Sequence, residues 1–179
     1  MAYNENAKNS TMKYIREKQR EIKIRYKKEE FDLEIAPVIK NSGLTVAGFF
    51  KAAAADRIKA YYDQREKLLQ SLEAVKKVTV EEVPSAMHDD CKKIILYGSY
   101  ARGDFNFDSD VDIAILTKCS REEAKKYDSK LDEIAADLGM DTLAVVNYAC
   151  VPFDEFEEKK GWYPYFMNIQ KDGVVLYEH

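Results

Sequence analysis

Histidine is almost missing from this chain: His88 and His179 are the two it has. Its three cysteines, Cys91, Cys119 and Cys150, lie far apart with no CxxC pair. Both scarcities argue against a zinc site built from His and Cys. The cysteines read as reduced, mostly buried thiols. Any metal is then expected to be a hard cation held by carboxylates. No apolar run approaches the roughly 20 residues that span a bilayer, and the opening MAYNENAKNS lacks the apolar core of a secretion signal. The expectation is a cytoplasmic protein without a membrane partner. A P-loop, GxxxxGKS or GxxxxGKT, is also absent.

What is present reads as soluble and globular: 46% hydrophobic and 34% charged residues over 179 positions, enough for one domain or for a small module plus a compact domain. The net charge of −4 is unevenly spread. From Met12 to Lys28, MKYIREKQREIKIRYKK carries eight Lys and Arg against two Glu, a local charge of +6. A basic patch on an otherwise acidic chain is the footprint expected for nucleic acid, against the blander reading of a solvated face.

Inside the patch, EIKIRYK (21–27) alternates strictly. Ile22, Ile24 and Tyr26 share one face; Glu21, Lys23, Arg25 and Lys27 share the other. This period predicts a strand. A helix is expected next, with Phe31, Ile35 and Ile39 on one stripe and Gly43 as its left-handed stop. Pro37 is a blemish there, because an internal proline removes a hydrogen bond. Thr45 is placed to cap a long second helix, whose stripe runs Val46, Phe49, Phe50, Ala53, Ile58, Tyr61, Leu68, Leu72 and Val75. One strand and two short helices cannot close a core alone, and a lone strand leaves its edge unpaired. Two copies pairing their strands antiparallel solve both problems.

Farther on, KKIILY (92–97) predicts a short strand that ends at Gly98-Ser99. Glycine admits a ligand close to the backbone. The serine hydroxyl beside a helix start, with Arg102 nearby, makes an anion-binding corner. Ten residues later Asp110-Val111-Asp112 runs into a second strand, where the period of 2 puts both carboxylates on one side. Two carboxylates so close repel unless a cation joins them. A phosphate corner beside such a pair implies a nucleoside triphosphate bound with Mg²⁺.

Two resemblances follow. EIKIRYK, the NSGLT turn and the helix VAGFFKAAAADRI resemble the ribbon-helix-helix DNA-binding family of the Arc and MetJ type. That resemblance implies a dimer whose ribbon enters the major groove, with Lys23 and Arg25 facing bases and Thr45 at a phosphate. A dimerisation device without DNA is the blander alternative. Gly98-Ser99, ten residues and Asp110-Val111-Asp112 resemble the minimal nucleotidyltransferases of the DNA polymerase β superfamily. The fold class implied is α+β: a dimeric ribbon-helix-helix module over residues 1–60, a helical linker over 61–90 and a mixed-sheet nucleotidyltransferase domain over 91–179.

The second resemblance implies transfer of a nucleoside monophosphate from ATP or another NTP to a hydroxyl. Gly98, Ser99 and Arg102 would hold the nucleotide, and two Mg²⁺ ions would sit on Asp110, Asp112 and a third carboxylate near the start of a later strand. SREEAKKYDSKLDEIAADLG (120–139) reads as a helix capped by Ser120 and stopped by Gly139, with MDTLAVVNYA as the following strand. Asp141 is then the expected third carboxylate, catalytic with Asp110 and Asp112. Minimal nucleotidyltransferases often act as antitoxins that adenylylate a HEPN-type toxin, which implies such a partner and repression of the chain's own operator. tRNA and small-molecule acceptors stay open, as does a transcription regulator whose nucleotidyltransferase fold only senses nucleotide.

Overall fold

The computed structural model describes Arg20 and residues 22–179. They form two compact units that divide between Ala55 and Asp56. Most of the basic run from Met12, and Glu21 of the expected strand, lie outside the described residues.

In the first unit, residues 22–27 belong to no ladder within the single chain. A strand exists only through a partner's backbone groups, so a ribbon here would take a second chain. A helical turn, Lys28–Glu30, passes into a π segment, Phe31–Ile35, and then into α1 (Ala36–Ser42). The π segment accommodates Pro37. In a regular α-helix the proline ring would collide with the carbonyl of Leu33. Here the Ala36 N–H reaches back five residues to the Phe31 carbonyl, and Pro37 enters in the first turn of α1, where no N–H is needed. Gly43 closes α1 in the left-handed conformation, at φ 70°, as expected.

Thr45 caps the long helix α2 (Val46–Met87): its Oγ1 accepts from the Gly48 N–H at 3.1 Å. The helix is continuous for 42 residues and carries Pro84 within it. Its expected apolar stripe divides in two. Val46, Ile58 and Tyr61 are half exposed or more, whereas Leu72 and Val75 are buried.

The second unit is built on one four-stranded sheet of order β3-β2-β1-β4. Its strands are β1 (Cys91–Tyr97), β2 (Val111–Thr117), β3 (Val146–Pro152) and β4 (Val174–Glu178). β1 runs antiparallel to β2 and to β4, while β2 and β3 are parallel. Between β1 and β2 lies the short α3 (Gly98–Arg102). The parallel crossover from β2 to β3 contains α4 (Asp128–Thr142), and α5 (Phe153–Lys159) and α6 (Pro164–Asp172) precede β4.

Alternation along the strands sorts the core into two layers. Ile94, Leu96, Ile113 and Ile115 pack with Leu72, Val75, Val83 and Met87 of α2 and with Leu131, Ile134 and Leu138 of α4. Ile95, Ala114 and Leu116 pack on the opposite face with Phe156 of α5 and with Phe166 and Ile169 of α6. β2 is therefore covered on both sides, which explains its unbroken apolar run. The buried Thr79 hydroxyl meets that of Tyr148 at 2.7 Å, so the polar pair is satisfied inside the first layer.

The stretch after β2 departs from the sequence expectation. Ser120 does form a capping box with Glu123. The helix it opens, however, is a short turn, Arg121–Ala124, separated from α4 by a 3₁₀ turn. Gly139 does not stop α4, which continues through Thr142 until Leu143 takes the left-handed position at φ 59°. The Thr142 hydroxyl secures that end by donating to the Leu138 carbonyl at 2.6 Å and accepting from the Ala144 N–H at 3.2 Å. No helix among the described residues is long and apolar enough to cross a membrane.

Candidate active site

The site lies where β1 ends and β2 begins. Gly98 takes φ 74°, a region open to glycine and strained for side-chain-bearing residues. It also stands against Asp112: a Cβ placed on Gly98 would lie 2.6 Å from the Asp112 Oδ2. The glycine-serine corner and the paired aspartates, ten residues apart in sequence, are thus in contact.

The intervening loop is held at several points. Tyr100 stacks on Phe105 with ring centroids 4.4 Å apart, and the Arg65 guanidinium of α2 covers the far side of Phe105 at 4.2 Å. Arg65 also donates to the Gly103 carbonyl at 3.1 Å. Beyond Phe105, Asn106 folds the chain into a turn: its N–H donates to Ser109 Oγ at 2.9 Å and its Oδ1 accepts from the Asp108 N–H at 2.8 Å. The Val111 N–H then bonds the Val145 carbonyl at 2.8 Å, which pins Asp110 beside β3.

Asp112 stands opposite Tyr97 on β1 and opposite Asn147 on β3. The Asn147 amide donates to Asp110 Oδ2 and to Asp112 Oδ1, each at 3.2 Å. Two anions are thereby bridged by one neutral donor. Asn147 occupies the position where a third side chain meets the pair, and nothing in its residue type had marked it. The available signal was positional: on a strand paired in parallel with β2, one residue must stand beside Asp112, and in AVVNYA that residue is polar and exposed.

Asp141 is elsewhere. Because α4 continues past Gly139, Asp141 lies exposed in its last turn rather than at the start of a strand. Among the described residues, no three His, Cys, Asp or Glu side chains gather as a metal site. Arg102 is exposed and pairs with Asp104, Nε to Oδ2 at 3.2 Å. Ser99, half-buried in α3, accepts the Gly103 and Asp104 N–H groups through its carbonyl. Lys23, Arg25 and Thr45 belong to the first unit, where all three are exposed.

A hydroxyl pair borders the carboxylates. Tyr97 and Tyr165 meet Oη to Oη at 3.0 Å. Burial, then the Tyr165 hydroxyl, then the Asp112 charge push the Tyr97 phenol above its ordinary range. Burial and the Asp110 charge do the same to Tyr100. Both phenols stay protonated, as donors or apolar walls rather than anions.

The donor set fits a hard divalent cation. It offers two carboxylates with a shared polar bridge, against a corner that only glycine leaves open, and no soft ligand intrudes.

Residues 72–175 match the family model described as "Nucleotidyltransferase domain". A Methanocaldococcus jannaschii protein named "Putative protein adenylyltransferase" is 37% identical over 86 residues, 48% of this chain and 78% of that protein. A second protein of the same name from that organism is 45% identical over 38 residues, 21% of this chain and 38% of its own length. A solved structure titled "Crystal structure of the toxin-antitoxin with AMP-PNP" is 18% identical, with a TM-score of 0.36 over 55% of this chain and 73% of its own. The matched segment begins within α2, contains the whole glycine-serine and aspartate site, and ends in β4; the chain belongs to the nucleotidyltransferase domain family.

Proposed function

We propose that the chain transfers a nucleoside monophosphate, AMP from ATP as the leading case, to a hydroxyl on a protein acceptor, with release of pyrophosphate. The observation that carries this reading is the contact of the Asp112 carboxylate with Gly98, which sets the proposed phosphate corner against the proposed cation-binding pair. A protein acceptor is supported by the name of the 37%-identical relative. A HEPN-type toxin is the partner we propose on the resemblance to minimal nucleotidyltransferases.

In this scheme Gly98 and Ser99 receive the β and γ phosphates, and Arg102 must leave Asp104 to join them. Asp110 and Asp112 hold Mg²⁺, which when bound supplies Lewis acidity at the phosphate and lowers the pKa of the incoming hydroxyl. The protein's own work is positioning and charge. Phe105, Tyr100 and Arg65 fix the loop, and the Asn106 turn aims Asp110. The chain, co-expressed with a HEPN-type protein from a neighbouring gene, should label that neighbour from ATP and Mg²⁺, and Asp110→Ala/Asp112→Ala should abolish the label. Persistence of the label in the double variant would refute the assignment.

For the first unit we propose a homodimer that reads operator DNA. Ile22 and Ile24 are 83% and 57% exposed, and with Tyr26, Phe31, Val46 and Phe50 they line an open apolar groove of about 680 Å³. A second copy's ribbon would cover that groove while leaving Lys23 and Arg25 outward. DNA binding should then fall steeply with salt, and Lys23→Ala and Arg25→Ala should weaken it. Unchanged binding in both variants would remove the ribbon as the reader.

A nucleotide sensor is the second reading, and Asn147 favours it: the position beside the aspartates carries no charge and no base. Nucleotide binding without pyrophosphate release, with the co-expressed neighbour present, would select it.

A further inference from the structure

Asn147 contributes something the paired aspartates cannot supply for themselves. It stands in register with Asp112 on the parallel neighbour strand, so its place is set by the backbone. Its amide spans both carboxylates, at 3.2 Å to each. Hydrogen bonds to ionised acceptors are the strong kind, and this bridge lowers the repulsion of two anions on one strand face.

The bridge also opposes a cation. An ion seated between Asp110 and Asp112 must displace the amide, or the amide must turn to offer its carbonyl oxygen, itself an acceptable hard ligand. Two carboxylates balance one divalent ion. A second would leave two positive charges uncompensated, and no further carboxylate completes the cluster among the described residues. That second ion therefore has to arrive with the triphosphate, whose oxygens supply the missing charge.

We propose that Asn147 is a positioning residue that holds the carboxylate pair together without metal and limits the nucleotide-free protein to one weakly bound divalent cation. This rests on the reading of Asp110 and Asp112 as the metal ligands. It adds a consequence for loading: the site is completed by substrate, so nucleotide and the second cation bind together.

The test is Mn²⁺ titration of the full, metal-stripped chain, with free Mn²⁺ followed by electron paramagnetic resonance. Wild type should bind one Mn²⁺ without nucleotide and a second with a non-hydrolysable ATP analogue. Asn147→Asp should bind two without nucleotide, the first more tightly than wild type does, because a third carboxylate adds ligand charge to the site. Asn147→Ala should stay at one. Melting in chelator gives an independent readout: Asn147→Asp should melt below wild type and recover with Mn²⁺ by a larger shift than wild type shows. Two ions on the nucleotide-free wild type or on Asn147→Ala would overturn the proposal, as would an Asn147→Asp titration that matches wild type. Asp110→Asn/Asp112→Asn separates the levels. If it abolishes Mn²⁺ binding while Asn147→Asp behaves as wild type, only the role of Asn147 fails. If it leaves binding intact, the metal-site reading itself fails.

Discussion

The two units solve the same problem differently. The second, from Asp56 onward, builds a buried core, with β2 covered on both faces and Ile94, Ile113 and Ile115 fully buried, although Ile58, Tyr61 and Leu143 stay exposed. The first leaves Ile22, Leu33, Val38 and Val46 half exposed or more, and Ile39 is the one buried hydrophobic among its described residues. One helix shows both behaviours along its length: Val46, Ile58 and Tyr61 lie open, whereas Leu72, Val75, Val83 and Met87 sit in a core. The lesson is that an apolar stripe announces a helix but does not name what covers it.

That contrast can be broken from either side. The largest effect belongs to the second unit: Asp112→Ala should lower transfer by at least about 100-fold, the scale of losing a central electrostatic contact, with little change in melting temperature. Assays of label transfer beside thermal melts check this. Gly98→Ala should damage both quantities, since its φ of 74° costs a side-chain-bearing residue about 1–2 kcal/mol and its new Cβ would press on Asp112.

For the first unit, Ile24→Asp should halve the mass seen by light scattering and leave the melting of the second unit in place. If the mass is unchanged, the exposed ribbon face is not the dimer contact.

Smaller effects sharpen the comparison within the second unit. Arg65→Ala removes a cation–π contact worth roughly 0.5–1 kcal/mol and a hydrogen bond to the active-site loop. Transfer should fall modestly, in kcat more than in KM. Acid tests another contact: the Arg121 fork, then Lys159, holds the Glu155 carboxyl down at about 2 from its ordinary 4.5. A depressed folded pKa contributes stability above the unfolded value and loses it as pH falls. Melts between pH 4.5 and 2 should therefore show a decline that Glu155→Gln lessens.

The geometry of the candidate site was largely legible because its parts are local. Gly98, Ser99, Asp110 and Asp112 come from one 15-residue stretch, and the ends of β1 and β2 fix where they meet. The capping signals at Thr45, Ser120 and Gly43 were legible for the same reason, since each depends on neighbours a few residues away. What failed depended on distance. Gly139 looked like a stop, but Leu143 could take the left-handed position once Thr142 had satisfied the helix end, so Asp141 ends in the last turn of α4 rather than on a strand. Asn147 could not be found from residue type, because its meaning comes from the register of β3 against β2. Pro37 looked like a blemish in the helix because a π segment has no simple signature. The strand pattern at 22–27 forms no ladder within one chain for a related reason: a ladder takes two edges, and one sequence names only one.

The proposed transfer turns most directly on which phosphate of ATP moves. The co-expressed neighbour should gain label from ATP labelled at the α position and none from ATP labelled at the γ position, with Mg²⁺ required and Asp110→Ala/Asp112→Ala silent. Transfer of the γ label, or an α label that survives the double substitution, would contradict it.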